Sequence, residues 1–561
     1  MPMLLASVHR VFISFAKAML LVSAAAVLTG IQTAHAARIY VNANAAASGA
    51  DGLSWGRALP TLQQALDKAL ITPEADDIWI AQGTYVPTKI YAPNNLPGGG
   101  STQNVSLLAT FDLPHNVNLY GGFAGNESSL DQRSPDKYRT VLTGSGVLWH
   151  VVTAGNDVAK TGVTAALDGL TIRDGNAQGP SPAPFATLFG PFAYEHDYGG
   201  GLYVAFGSNI TVNNVQFLNN VANQDGGGMF ANNSNVTITN SRFVSNSAGT
   251  RGGALEVLNT FEGSTAHTSK IKNTVFDSNV SGLFGGAIVG EGGIPNPASS
   301  MDIDQSVFVN NKSIEGGAIV FDTLTTTVRN SSFQRNVASV NAGAISTTNV
   351  VNTIIWQTFF HAPPPVFFAT TVSNCDFSEN VAEGDQGVHD TGMFGGPAAS
   401  GINFPLGGGA LVTYMNGRLN VSGSSFNKNL ARNGDGGAIL NGRSGASGGG
   451  FNVIAYDVET KVTDSRFVGN RAPTGSGGAI ASMQDNYFMS GDKSNYRLTV
   501  ADSDIHANDA GIYGGGIYLK VSTATLTNNN LGGNHAPTGR AVFALDSRVN
   551  GSTVSPYIAD K

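Results

Sequence analysis

The stretch Gly316-Gly317-Ala318-Ile319 opens one of ten copies of a phrase that recurs between Gly199 and Asn534. In nine copies a glycine pair leads an apolar strand, and Ala342-Gly343 takes its place in the tenth; a large apolar residue follows in all ten, with an asparagine three positions later. An aliphatic residue also stands five positions before each large residue. The large residues are Phe217, Phe243, Phe276, Phe308, Phe333, Phe377, Phe426, Phe467, Ile505 and Leu531. A repeat of this kind sets the fold of the chain.

The spacing requires a corner inside each repeat. Alternate residues of a straight strand face opposite ways, so two apolar residues five positions apart can both face inward only if the chain bends between them. In eight repeats Asn or Asp lies three positions before the large residue, and both residue types tolerate the left-handed backbone region. These residues are Asn214, Asn240, Asn273, Asn330, Asn374, Asp464, Asp502 and Asn528.

The asparagine after the large residue is expected to serve the next corner in the same way. Its ten copies run from Asn220 to Asn534. Stacked coils lie about 4.8 Å apart, which lets identical amides hydrogen-bond in a ladder along the axis. The glycine pairs then allow a further corner at which a Cβ atom would clash.

These features predict the fold class. The shortest periods are 25 and 26 residues, too short for a βαβ unit of about 30 residues or more. The apolar spacing alternates instead of following the helical period. We therefore predict an all-β protein, a single right-handed parallel β-helix of about 12–14 coils with an N-terminal capping strand and helix.

The pairing of a GGA[ILV] phrase with FxxN resembles the repeat of polymorphic outer membrane proteins (Pmp) of the chlamydial type. The resemblance covers residues 199–534 and places the chain in the wider right-handed parallel β-helix group, which includes pectate-lyase-like solenoids. It implies a protein of the bacterial cell surface or outer membrane. Every residue of the motif is structural, so the resemblance assigns no activity.

Residues 1–36 predict an export signal. His9, Arg10 and Lys17 form a basic front, the apolar run from Ala18 to Ile31 follows, and a small-x-small cleavage site precedes Ala37. The run is shorter than the roughly 20 residues that a membrane span needs. We expect no transmembrane span after signal removal, and a mature chain that is secreted, periplasmic or on the outer cell surface of a bacterium.

Charge and cysteine content narrow the function classes. Removing the signal removes two basic and no acidic residues, which takes the formal net charge from −8 to −10. Nucleic acid is not an expected partner, because its binding requires a basic face. Cys375 is the single cysteine and occupies a position that holds serine or threonine in other repeats, so we interpret it as structural.

The chain divides by pattern into five parts. After the signal, residues 37–90 are predicted to cap the solenoid, with a strand at Arg38–Val41 and a helix across Pro60–Leu70. Residues 91–198 form irregular first coils, 199–545 the regular repeats, and 546–561 a C-terminal tail. An uncovered last coil would permit end-to-end self-association.

Insertions enter the repeat at only two corners, so the coil stack predicts one decorated flank. They follow the glycine strand at 257–268, 290–299, 347–370, 442–458 and 484–496, and they precede it at 177–198 and 383–407. Loops on a rigid scaffold commonly carry binding and catalysis. The functional residues are therefore expected in these insertions.

Two insertions contain the candidate ligand-binding residues. Aromatic residues suited to stacking on sugar rings concentrate in 347–370, and a His-Asp pair lies near two acids in 383–407. The candidates are Trp356, Phe359, Phe360, His361, Glu383, Asp385, His389 and Asp390. A second His-Asp pair, His196-Asp197, lies in 177–198. The alternatives are that the aromatic residues pack the loop onto the rod and that the polar residues are solvated.

The sequence leaves two functions open. The first is a binding or adhesion protein that recognises a polysaccharide or cell surface through the flank. The second is a polysaccharide lyase or glycoside hydrolase, but Asp225, Glu315 and Asp435 recur at one repeat position several coils apart and form no close pair. The sequence contains no cofactor or zinc motif. Ca²⁺ stays possible as a cofactor, because a polysaccharide lyase often uses it to neutralise the uronate carboxylate.

Overall fold

Four long sheets of stacked coils form the described part of the protein. The computed structural model describes residues 37–71, 76–90, 105–155, 161–179, 196–259, 266–292, 299–349, 367–385, 402–403, 406–442, 445–446, 457–484, 495–554 and 557–560. Within each sheet, successive coils pair in parallel with their repeat positions aligned, as Phe217, Phe243 and Phe276 show. We number the sheets 1 to 4 in their order along one coil.

The strands follow the predicted repeat. Sheet 1 consists of Ala37–Val41, Asp76–Ala81, Val117–Phe123, Thr164–Asp168, Asn209–Asn213, Asn235–Thr239, Thr268–Lys272, Ser300–Asp304, Thr325–Arg329, Ala369–Ser373, Arg418–Ser422, Asp457–Thr463, Asn495–Ala501, Thr523–Thr527, Ser547–Val549 and Ser552–Val554. Sheet 2 consists of Gly83–Tyr85, Thr140–Thr143, Leu170–Arg173, Gln216–Leu218, Arg242–Val244, Val275–Asp277, Val307–Val309, Ser332–Gln334, Asp376–Ser378, Ser425–Asn427, Arg466–Val468 and Asp504–His506.

Sheet 3 is the shortest in strand length, and sheet 4 contains the glycine strands of the repeat. Sheet 3 consists of Asn176–Ala177, Val221–Ala222, Ser247–Ala248, Val280–Ser281, Lys312–Glu315, Val337–Asn341, Val381–Ala382, Leu430–Ala431, Arg471–Ala472 and Asp509–Ala510. Sheet 4 consists of Phe111–Leu113, Val152–Ala154, Leu202–Val204, Met229–Asn232, Leu255–Leu258, Ile288–Glu291, Ile319–Asp322, Ile345–Thr348, Leu411–Thr413, Ile439–Gly442, Ile480–Met483, Ile517–Lys520, Val542–Leu545 and Tyr557–Ala559.

These sheets confirm an all-β solenoid. Sheet 4 has 14 strands, the last of which is antiparallel, in line with the predicted number of coils. The right-handed sense of the coil stays a prediction, based on the strong preference of parallel crossover connections for that hand.

Helix is confined to short segments in the described residues. The α-helix spans Leu62–Leu70, and 3-10 turns lie at Trp55–Arg57, Val105–Leu108 and Leu130–Gln132. The α-helix begins two residues later than predicted, because the Thr61 side chain accepts the Gln64 N–H and so caps it. The helix buries Leu62, Ala65 and Leu66.

The interior confirms the predicted apolar columns. From Phe217 to Phe467, eight phenylalanine rings stack in one column with successive centroids 4.4–5.0 Å apart. Neighbouring planes differ by at most 11°. One continuous core runs along the rod from Ile39 to Val549.

The first asparagine row confirms its predicted role. All eight Asn and Asp residues of that row, from Asn214 to Asn528, have φ between 49° and 53°. The left-handed residue makes the corner between sheets 1 and 2, which turns residues five positions apart toward the same interior.

The second asparagine row was predicted correctly as a ladder and wrongly as a left-handed corner. From Asn220 to Asn534, each side-chain N–H donates to the next side-chain oxygen at 2.9–3.0 Å. The positive φ belongs instead to the preceding residue, such as Arg335 or Lys428. The asparagine side chain points into the interior, so the residue before it makes the bend.

The glycine pair makes the corner between sheets 3 and 4. Gly316 has φ +60°, and a Cβ atom on Gly317 would lie 2.3 Å from the carbonyl oxygen of Gly343 in the next coil. Side chains are therefore excluded from this corner by the stacking itself.

Sheets 1 and 4 end in return strands. Ser552–Val554 pairs antiparallel with Ser547–Val549, and Tyr557–Ala559 with Val542–Leu545. The last parallel strands of these two sheets are therefore covered. Among the residues that the structure describes, no helix is long and apolar enough to cross a membrane.

Candidate functional site: the outer face of sheet 4

Sheet 4 lies between the two corners at which insertions enter. Ile402–Asn403, from an insertion before the glycine strand, pairs antiparallel with Gly445–Ala446, from an insertion after it. These two insertions, which enter at opposite corners of sheet 4, therefore meet at this pair of strands. Outward-facing residues of its strands, such as Val412 and Leu440, are buried in a second apolar cluster outside the main core.

The middle of this face contains an arginine held by three carboxylates. Arg251 lies 3.1 Å from Asp225, 3.5 Å from Glu256 and 2.5 Å from Glu291. Although burial opposes its charge, the three carboxylates keep the pKa of Arg251 well above its usual value. Its three carboxylates outnumber the one guanidinium, so the cluster has an excess of negative charge among the described residues.

A second cluster surrounds Glu315, which ends a strand of sheet 3. Glu315 is 1% exposed. Its Oε1 accepts hydrogen bonds of 2.6 Å from the Ser346 hydroxyl and the Tyr414 hydroxyl. Burial raises the pKa of Glu315 to about 7, and the two hydrogen bonds limit the rise. Burial, followed by the charges of Glu315 and Asp322, raises the pKa of Tyr414 well above its usual value.

Several polar atoms of Glu315 and of the next coil are buried without a protein hydrogen-bond partner in the described part of the chain. They are Glu315 Oε2, both polar side-chain atoms of Asn341, and Thr348 Oγ1. Asn341 pairs with Glu315 in the next coil. Because buried polar groups are nearly always hydrogen-bonded, such a group of atoms indicates a place for a water or a ligand hydroxyl.

A groove opens on the coils that follow Glu315 in sheet 3. Its lining residues are Ser339, Glu383, Gly384, Asp385 and Asn433, and its volume is about 490 Å³. Small-ligand sites typically have about 300–1,000 Å³. The groove crosses three successive coils of sheet 3. Glu383 is paired with Arg432 at 2.5 Å.

The groove brings together two of the predicted site residues, Glu383 and Asp385. Trp356, Phe359, Phe360, His361, His389 and Asp390 lie outside the described residues. Two further aromatic residues of the same insertion are described and contact the rod. Phe367 lies 4.2 Å from the guanidinium of Arg418, and Phe368 is 7% exposed.

The His196-Asp197 pair is buried instead of solvated. The His196 ring packs against Trp149 at 4.4 Å and lies 6.2 Å from the His150 ring. Burial lowers the pKa of His150 to about 4, while burial and the neighbouring His150 lower the pKa of His196 to about 3. Within the described ranges no group of three or more His, Cys, Asp or Glu residues could hold a metal ion.

Sequence reasoning found Asp225 and Glu315 but missed their partners. The structure confirms that these two acids share one column, with Arg251 and Phe284 between them. One signal was available, since Glu256 interrupts an apolar glycine strand. Tyr414 gave no signal, because 99 residues separate it from Glu315. Cys375 is buried and inert, with burial raising its pKa to about 11.

Comparison with known proteins identifies no family. No family model matches the sequence, and no curated protein does. Among solved structures, PfbA, a surface adhesin of Streptococcus pneumoniae, aligns at 11% identity over 93% of this chain and 96% of its own, with a TM-score of 0.32.

Two enzymes also align. The catalytic domain of a GH87 alpha-1,3-glucanase in complex with nigerose aligns at 9% identity over 89% of this chain and 66% of its own, with a TM-score of 0.29. The A-module of the mannuronan C-5 epimerase AlgE4 of Azotobacter vinelandii aligns at 11% identity over 93% and 100%, with a TM-score of 0.26.

Proposed function

We propose that this exported protein binds a glycan along the flank formed by sheet 4 and its two bordering corners. The groove lined by Ser339, Glu383, Asp385 and Asn433 carries the proposal. Hydroxyl, carboxylate and amide groups converge there from successive coils, which is the mixture of donors and acceptors that sugar hydroxyl groups require.

The predicted aromatic residues complete this proposal. Trp356, Phe359, Phe360 and His361 are proposed to stack on sugar rings, and His389 and Asp390 to add polar contacts. All six belong to insertions that enter at the corners of sheet 4. The export signal in residues 1–36 and the Pmp-like repeat support a role outside the cytoplasm or at the cell surface.

Glycan retention tests the proposal. Purified residues 37–561 would be run through gels containing soluble α-glucan, β-glucan, mannan, xylan or polygalacturonate, and retardation measured. We expect retardation by at least one neutral glycan, with D385N, N433A and W356A each weakening it several-fold. D302N is the matched control, since Asp302 lies on sheet 1 and its side chain is 44% exposed. Equal retardation of all variants would contradict the assignment of the flank.

A further inference from the structure

We propose that the ring of Tyr513 is a stacking subsite for a sugar unit and that it extends the groove at Asn433 along the rod. This inference rests on the proposed glycan binding. It adds a further binding residue and a direction, because the bound chain would lie parallel to the rod axis across successive coils. The exposure of the ring, the packing beneath it and its place in the corner between sheets 3 and 4 carry the inference.

Tyr513 presents an aromatic ring to solvent. It is 38% exposed, and no other aromatic residue whose burial the structure describes is exposed to that extent. In the three preceding coils the same column of the corner contains Gly407, Asp435 and Ser476. The repeat therefore does not require an aromatic residue at this position, and the ring is accessible to a ligand.

Two buried rings support Tyr513 on one side. Tyr518 and Phe543 point outward from sheet 4, because the residues on either side of each belong to the main core. The Tyr513 ring stacks on Phe543, with centroids 4.4 Å apart and planes 18° apart. Tyr518 lies 6.2 Å from Tyr513 and 6.1 Å from Phe543, so it lies beside this pair and leaves the opposite face of Tyr513 uncovered. A ring that is already held by packing loses little conformational entropy when a ligand binds.

Tyr513 lies on the same corner as the groove, two coils beyond it. Thr474 follows Asn433 in the next coil, and its hydroxyl donates to a backbone carbonyl beside Asn433 at 3.0 Å. The Ile512 N–H donates in turn to the Gly475 carbonyl at 3.0 Å. Two coil steps of about 4.8 Å place Tyr513 about 10 Å from Asn433 along the rod. A glycan chain that leaves the groove parallel to the axis would reach this ring.

Hydroxyl groups adjoin the ring in the coils before and after it. Thr474 is exposed in the preceding coil, and Thr538, which pairs with Tyr513 in the following coil, is half-buried. A sugar unit has an apolar face of C–H groups and a rim of hydroxyl groups that donate and accept hydrogen bonds. An aromatic ring flanked by hydroxyl groups therefore matches both parts of a sugar unit.

A glycan fits this surface better than a second copy of the protein. Within the described residues 495–554, Ile512 and Tyr513 are the only large apolar residues that are exposed. A stable protein–protein interface typically buries about 800 Å² on each partner, which two neighbouring side chains do not supply. A single exposed ring is sufficient for one sugar unit, and the groove supplies the remaining contacts to the same chain.

Oligosaccharides of two lengths test the subsite. Disaccharides and hexasaccharides of the polysaccharides in the retention assay would be titrated calorimetrically into residues 37–561. We expect Y513A to weaken binding of the hexasaccharide of a retained glycan about tenfold and to leave the disaccharide nearly unchanged, which also shows that the variant is folded. D385N should weaken both lengths, since Asp385 lines the groove. The matched controls are Y513F, which keeps the ring, and I512A, which removes the neighbouring exposed side chain; both should bind as the wild type does.

The outcomes separate the subsite from the groove. If Y513A binds the hexasaccharide as tightly as wild type while D385N binds it more weakly, the groove stands and the Tyr513 subsite is wrong. If Y513A weakens both lengths equally, the ring does not extend the groove and the proposed direction of the chain is wrong. Self-association of the wild type that Y513A abolishes in sedimentation velocity would assign the ring to a contact between copies of the chain. Absence of retention on every glycan would overturn the binding proposal and the subsite with it.

Discussion

Among single residues, Glu315 links the stability of the rod to pH. Its pKa is about 7 in the folded protein, against 4.5 for an ordinary glutamate side chain. Because the folded pKa is raised, the native state binds this proton more tightly than the unfolded state. The stabilisation is complete below pH 4.5 and is lost as pH rises through 7. We expect Glu315 to lower the free energy of unfolding by about 3 kcal/mol over this window.

Urea unfolding from pH 4.5 to 8 measures this change in the free energy of unfolding. E315Q should lack it, and E379Q should keep the wild-type slope, because Glu379 is exposed. An identical pH slope in wild type and E315Q would show that Glu315 titrates normally.

The buried pair His150 and His196 acts with the opposite sign. Their folded pKa values, about 4 and about 3, lie below the 6.5 of an ordinary histidine side chain. The native state therefore binds fewer protons, and stability falls as pH drops below 6.5. The H196F variant keeps a ring against Trp149 but cannot titrate at this position. Between pH 7.5 and 4.5, we expect its free energy of unfolding to fall by about 2–3 kcal/mol less than that of the wild type.

Thermal or urea unfolding at the two pH values checks this difference. The control is H535N, because the side chain of His535 is 74% exposed. If H196F and wild type lose the same stability between the two pH values, another titrating group must cause the loss at low pH.

The corner residues show what side-chain identity can and cannot predict. Asn214 itself has the left-handed backbone, which asparagine tolerates, so the residue type predicts the position of the corner. At the next corner the left-handed residue is Arg335 in one coil and Glu379 in another. Each such residue costs about 1–2 kcal/mol, which the inward asparagine ladder offsets. No side-chain preference marks this bend, so the sequence pattern assigned it to the asparagine.

Among the elements, the buried asparagine ladder makes a large contribution to stability. Asn336 donates to Phe308 O and Asn380 Oδ1, and it accepts from the backbone and side chain of Asn311. Removing the amide leaves several buried groups unpaired, at about 1–3 kcal/mol each. We expect N336A to lower the free energy of unfolding by about 3–5 kcal/mol, measured by urea unfolding. N209A is the control.

Asn209 is exposed and forms a similar amide contact to Asn235 on the surface of sheet 1. Its loss should cost less than about 1 kcal/mol, since water replaces the lost bond. Equal costs for N336A and N209A would contradict a role for burial in the ladder.

The strands themselves were predictable, whereas the site was predictable only in part. The apolar frame identifies which residues face inward, and the column of Asp225 and Glu315 follows from it. The Ser346 and Tyr414 contacts to Glu315 depend on how coils of different length align after long insertions. That alignment is a property of the stacked sheets and leaves no local mark near Tyr414. The groove likewise requires three coils to be placed together.

At the scale of the whole molecule, the two return strands at the C-terminal end oppose self-association. Tyr557–Ala559 and Ser552–Val554 cover the final strands of sheets 4 and 1. An uncovered strand edge is a template for pairing with another chain. We expect residues 37–561 to sediment as a monomer at all concentrations, and residues 37–545 to associate as concentration rises, because truncation uncovers Val542–Leu545 and Thr523–Thr527. Sedimentation velocity measures both. The control is T525K in the truncated chain, which puts a charge on the exposed edge strand and should reduce association. Association of the longer chain would show that its ends pair in spite of the return strands, as the repeat pattern alone would allow.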